Sequence, residues 1–227
     1  MQQKPTRTNT RVAYGSPARE SVLATNKVLR NTYALLSMTL LFSAAMAGVS
    51  IAFNVPYFGP IITLVGYFGL LFLTTRFRNS AAGLVCVFAL TGFMGLTLGP
   101  ILSLYLNTPQ GTDLVMTALG ATGVVFLGLS AYAVKSERDF SFMGGFLMVG
   151  MIGLLAVILL GLFIDLSAFQ MAISAGVVLL MSALILYETS NIIHGGETNY
   201  IMATVSLFVS IYNLFTSMLM LLGGGDD

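Results

Sequence analysis

Seven nearly uninterrupted apolar stretches, each close to 20 residues long, leave this chain few ways to fold. They run at about Tyr33–Phe53, Phe58–Thr75, Ala81–Leu106, Leu114–Val134, Phe142–Ile164, Ala168–Ser190 and Tyr200–Leu222. At 1.5 Å rise per residue, about 20 residues of α-helix match the hydrocarbon core of a bilayer. Charged residues make up 8% of the sequence and hydrophobic ones 56%, whereas a soluble domain carries about 25% charged residues. Barrel strands would alternate apolar and polar with period two, and these runs do not. The fold class is therefore an all-α polytopic membrane protein with seven transmembrane helices, bathed in lipid, with almost no mass outside the bilayer. The links between spans, such as NVPYFGP, RFRNS, NTPQGTD and NIIHGGETN, are short and rich in turn formers.

Several chemistries are excluded early. The single cysteine, Cys86, lies in an apolar run, and the single histidine, His194, has no second nitrogen ligand. Neither an internal disulfide nor a zinc or haem site can be built from them. No metal and no cofactor is expected. The spans hold many Ser, Thr and Tyr hydroxyls, but no histidine or carboxylate pair at depth to activate one. No catalytic residue is assigned, and the chain is not read as an enzyme. The net charge of +1 says nothing about partners, and no nucleic-acid partner is expected.

Placement of the basic residues sets the expected orientation. Lys4, Arg7, Arg11, Arg19, Lys27 and Arg30 precede the first span, Arg76 and Arg78 follow the second, and Lys135 and Arg138 follow the fourth. If the spans alternate, every Lys and Arg lies on one side, the cytoplasm. The opposite links carry only Asp113 and Asp165. Beyond Arg138 the orientation rests on counting: seven spans put Asp226 and Asp227 in the periplasm, whereas six plus a re-entrant segment would keep them inside. Residues 1–28 are too polar to bury a core and read as a disordered, basic cytoplasmic tail. Residues 29–222 form the transmembrane domain and 223–227 a short C-terminal tail.

Glycine recurs inside the spans, as at Gly92, Gly95 and Gly99, at Gly120, Gly123 and Gly128, and at Gly144, Gly145, Gly150 and Gly153. Small residues let helices approach closely in lipid, and the Gly95–Gly99 pair is read as close internal packing. Gly99-Pro100 is expected to kink the third helix. In the last span, Ser206, Ser210, Asn213 and Ser217 recur at four, three and four residues, which is one helical face. A polar stripe on an apolar span faces protein or water rather than lipid, so the seventh helix is expected at the centre with six around it. The stripe could equally serve ordinary interhelical bonding.

Glu188 is the one carboxylate at or near membrane depth. Keeping a glutamate neutral at pH 7, against a reference pKa near 4.3, costs roughly 3.7 kcal/mol. Burying an acidic side chain at a span centre costs about 2.5–3.5 kcal/mol. A group so balanced is a candidate proton or ion sensor. The plainer readings are hydration at the helix end, bonding to the polar stripe, or pairing with Arg76 or Arg78 on the same side. His194 and Glu197 fall in the following link and are expected to be exposed.

The GPILSLY segment at Gly99–Tyr105, the ERDFSF link at Glu137–Phe142, the block LYETSNIIHGGETNY at Leu186–Tyr200, and SLFVSIYNLF at Ser206–Phe215 together resemble the Bax inhibitor-1 (transmembrane Bax-inhibitor motif) family. The resemblance covers about Val28 to Leu222 and is nearest to the bacterial branch that modulates the membrane-bound AAA+ protease FtsH. It implies six helices around a central seventh and a multi-pass bacterial inner-membrane location. It further implies binding to FtsH, in association with HflK–HflC, as a slowly processed substrate that spares other membrane proteins such as SecY. The wider family suggests another activity, a pH-sensitive calcium leak governed by two acids on the last two helices. Glu188 matches the first acid, but Ser210 stands at the second, which weakens both proton sharing and Ca²⁺ ligation.

Overall fold

In the computed structural model the backbone is described for residues 17–136 and 138–224, and side chains from residue 27 onward. Seven α-helices follow one another: α1 (Pro17–Ala52), α2 (Gly59–Phe77), α3 (Ala81–Leu106), α4 (Gly111–Ser136), α5 (Gly144–Leu160), α6 (Gln170–Ile193) and α7 (Tyr200–Gly223). Short 3-10 turns at Ser141–Met143 and Ser167–Phe169 lead into α5 and α6. All seven helices are long and apolar enough to cross a membrane, and α7 is one unbroken helix rather than a re-entrant segment.

Two boundaries differ most from expectation. Helix α1 begins at Pro17, inside the segment read as a loose tail, although its apolar part spans Lys27–Ala52. Proline suits the first helical position, where its missing N–H is no loss, and no proline or glycine interrupts the run that follows until Gly48. The rest of the expected tail, residues 1–16, lies outside the described residues, as do residues 225–227 of the C-terminal tail. Helix α5 stops at Leu160 rather than Ile164, where Gly161 begins a turn.

Helix α7 packs against α6, α4 and α1, and more briefly against α3. Half of the residues in its most apolar window are buried, as in α3, against 6% for α2 and for α5. The expected central α7 therefore shares the interior with α3. Helix α2 lies outside α3, and α5 lies outside α6. The core gathers Leu36, Leu90, Met181, Ile185, Leu207 and Phe208, each fully or almost fully buried.

The α1–α3 junction shows why glycine and proline stand where they do. A Cβ at Gly95 would strike the carbonyl oxygen of Ser43, and one at Gly99 would strike the Ser50 side chain. The Gly95–Gly99 pair thus serves internal packing. Helix α3 runs unbroken through Pro100. Proline removes the N–H that would bond to the carbonyl four residues earlier, which is Leu96, and the Ser50 hydroxyl of α1 donates to that carbonyl at 2.8 Å. Glycines 120, 123 and 128 of α4 face open space instead.

Candidate functional site

The block joining α6 to α7 uses the side chains of Thr189, Ser190 and Asn199 to bind the bundle's basic end together. Helix α6 ends in a Schellman cap: the Gly195 N–H donates to Ile192 O at 3.3 Å and the Gly196 N–H to Asn191 O at 2.9 Å. Gly195 has φ +75°, which favours glycine, and a Cβ at Gly196 would collide with the Asn191 amide. Buried Ser190 accepts from the Phe140 N–H at 3.0 Å and donates to Arg138 O at 3.2 Å, fastening the α4–α5 link to α6. Thr189 meets Ser130 of α4 at 3.4 Å. At the start of α7, the Asn199 side-chain oxygen caps the Ile201 and Met202 N–H groups at 3.0 and 3.1 Å. Its amide nitrogen donates to Arg78 O at 3.0 Å and Asn79 Oδ1 at 2.8 Å. Three links, α2–α3, α4–α5 and α6–α7, are therefore stapled at one end, where Arg76, Arg78, Lys135 and Arg138 also stand.

Asp139, in the α4–α5 link, accepts from the Ser141 N–H at 2.8 Å and so caps the turn before α5. Its bonds to Ser141 hold the carboxyl below its ordinary value of 3.8, and the nearby His194 adds in the same direction. Asp165 does the same for the turn before α6 through Ser167.

Glu188 lies about one and a half turns before the end of α6 and is half-buried. The polar groups that bear on its carboxyl are the Ser206 hydroxyl of α7 and the Glu197 carboxylate. Arg76 and Arg78 are exposed at the rim and are not its partners. A long guanidinium at a span end gains more from hydration than from entering the bundle. Of the two, only Arg78 enters a staple, through its backbone carbonyl. Glu197 is half-buried rather than exposed, and its carboxylate accepts from the Asn199 N–H at 2.7 Å. His194 is exposed, with Nδ1 2.9 Å from Ser190 O.

Ser210 and Asn213 of the stripe turn back on their own helix. The Ser210 hydroxyl donates to Ser206 O at 2.9 Å, and the Asn213 amide to Val209 O at 2.8 Å. Ser210 and Ser217 are buried. The structure thus sets Ser206 near Glu188, leaves Ser210 and Asn213 further along α7, and keeps both arginines at the exposed rim. Among the described residues, no cluster of three or more His, Cys, Asp or Glu side chains could hold a metal ion.

A second feature was not anticipated from sequence. A cavity of about 490 Å³ lies at mid-depth, floored by α3 and α7 and flanked by α2 and α5. Thr97 and Tyr212 meet there at 3.3 Å, and Asn213 and Tyr67 join the lining. The only sequence signal was that polar residues sit at the centres of otherwise apolar spans.

Comparison with known proteins adds family and kinship. The family model described as "Inhibitor of apoptosis-promoting Bax1" matches residues 25–227. A Pseudomonas aeruginosa protein described as uncharacterized is 56% identical over 202 residues, covering 88% of this chain and 91% of that one. The Escherichia coli (strain K12) protein named "Modulator of FtsH protease YccA" is 51% identical over 213 residues, 94% of this chain and 97% of its own. An Escherichia coli O6:H1 relative of the same identity and coverage is named "Inner membrane protein YccA".

Proposed function

The chain belongs to the family of inhibitors of apoptosis-promoting Bax1, and from that premise we propose that it is an inner-membrane modulator of the FtsH protease. The observation that carries this reading is its 51% identity, across 94% of its length, to the relative named as such a modulator. The physical route is an engaged but poorly extracted substrate. A AAA+ motor pulls on a polar terminal segment, and the basic N-terminal residues offer one on the cytoplasmic side. The seven-helix body then resists extraction, because the three staples at the basic end and the close α1–α3 junction must break together. While engaged, the protease turns over fewer of its other membrane clients, SecY among them, and HflK–HflC would belong to the same assembly. In this reading the chain is a binding protein and not an enzyme.

Co-purification from detergent-solubilised membranes tests it. Full-length chain should retain FtsH, and its overproduction should lengthen the lifetime of SecY. Absence of FtsH from the complex, or an unchanged SecY lifetime, would overturn the proposal. The calcium-leak reading has less support. Ser210, at the second acidic position of the family pattern, is buried and bonded to Ser206 O, so no carboxylate pair bridges the two helices there. Ca²⁺ entry into liposomes that Glu188→Gln abolishes would favour that alternative.

A further inference from the structure

We infer that the mid-depth cavity between α2 and α5 is a docking cleft for a transmembrane helix of another protein, one carrying an uncharged amide or hydroxyl side chain near its middle. The proposal rests on the reading of the chain as a membrane-embedded binding protein and deepens it by naming what the membrane face recognises.

The cleft opens sideways. Helix α5 packs onto α6 and the turn before it, with no comparable packing onto α2, α3 or α7, and α2 packs onto α3. Every lining residue belongs to a helix and none to a link, so entry is from lipid rather than from water. None of the lining residues is charged, which fits a neutral occupant.

Hydrogen-bonding capacity at the floor then narrows the class. Thr97 gives its only hydroxyl proton to Met94 O at 2.8 Å. In the 3.3 Å contact between Thr97 and Tyr212, Tyr212 is therefore the donor, and its oxygen keeps acceptor capacity. Asn213 gives one of its two amide hydrogens to Val209 O, leaving one N–H and the side-chain carbonyl. The cleft thus offers both donors and acceptors close to the middle of α7. A phospholipid acyl chain would meet none of them, and its polar head stays at the interface, about half of a ~30 Å core away. Polar groups left unmet in hydrocarbon are costly. An amide or hydroxyl on a neighbouring helix supplies donor and acceptor together, which is how polar side chains join helices in membranes. The helix backbone would lie at the mouth, with its side chains filling the volume.

The test uses a synthetic leucine-rich transmembrane peptide with one Asn at mid-span. It is labelled for energy transfer and co-reconstituted at high lipid dilution with the labelled full-length chain in phosphatidylcholine vesicles. Association should exceed that of the all-leucine peptide by about threefold, corresponding to about 0.6 kcal/mol. The preference should vanish for a peptide with Asn near its end, and for Asn213→Leu and Leu155→Trp chains that still elute as monodisperse folded protein. Equal association of the mid-span Asn peptide and the all-leucine peptide would overturn the proposal. So would a preference that survives both substitutions, or one matched by tight phospholipid retention that the peptide cannot displace. The assay contains no protease, so its failure would remove the cleft and leave FtsH co-purification untouched.

Discussion

Single residues decide how close two helices come, and the glycines of α3 and α4 show two different cases. At Gly95 an added methyl would meet backbone of α1, which cannot give way as a flexible side-chain end can. Gly95→Ala should therefore lower stability by about 1–3 kcal/mol, the usual cost of overpacking. Gly123→Ala enters open space and should be neutral or slightly stabilising. Reversible unfolding in mixed detergent micelles would compare them, and equal effects would contradict the packing account. The Gly95–Gly99 spacing made this junction legible in the sequence. Ser50 was not legible, because its task depends on the carbonyl that Pro100 frees on another helix. Glu188 stands out in the sequence by its cost in lipid. Its neighbours are not legible there, since an acid near a span end can meet stripe, base or water, and only packing sets Ser206 rather than Arg76 or Arg78 near it.

At the level of elements, hydropathy located every span, because the bilayer sets helix length independently of tertiary detail. It could not see that α1 continues outward to Pro17, since polar helix and polar tail look alike to a measure of apolarity. Nor could it see the staples, whose donors and acceptors lie far apart in sequence. Asn199 is the staple that acts on two elements at once, capping α7 with its oxygen and holding the α2–α3 link with its nitrogen. The two tasks can be separated. Asn199→Asp keeps the capping oxygen but loses the amide donor, whereas Asn199→Ala loses both. Alanine should cost about 0.5–2 kcal/mol from the cap alone, and aspartate much less. Both should speed hydrogen exchange in the 78–80 link. Slow exchange there in both variants would mean that the link is held by something else.

For the whole molecule, the staples turn a count of spans into a statement about sides. The bonds from Asn199 to the α2–α3 link and from Ser190 to the α4–α5 link place three links together. The bond from Thr204 to Thr32 O, at 3.3 Å, brings the start of α7 beside the beginning of α1's apolar part. Every Lys and Arg whose side chain is described then belongs to one end: Lys27, Arg30, Arg76, Arg78, Lys135 and Arg138. We propose that this end faces the cytoplasm, as basic clustering favours, the side on which a protease motor would have to meet the N-terminal segment. The opposite end carries the α3–α4 link with exposed Thr108. In a Cys86→Ser background, Thr108→Cys should react with a membrane-impermeant maleimide applied from the periplasmic side, and Asn79→Cys should react only after the inner membrane is opened. The reverse pattern would place the basic end and the N-terminal segment in the periplasm. The motor could not reach that segment there, so the pulling mechanism would fall together with the orientation.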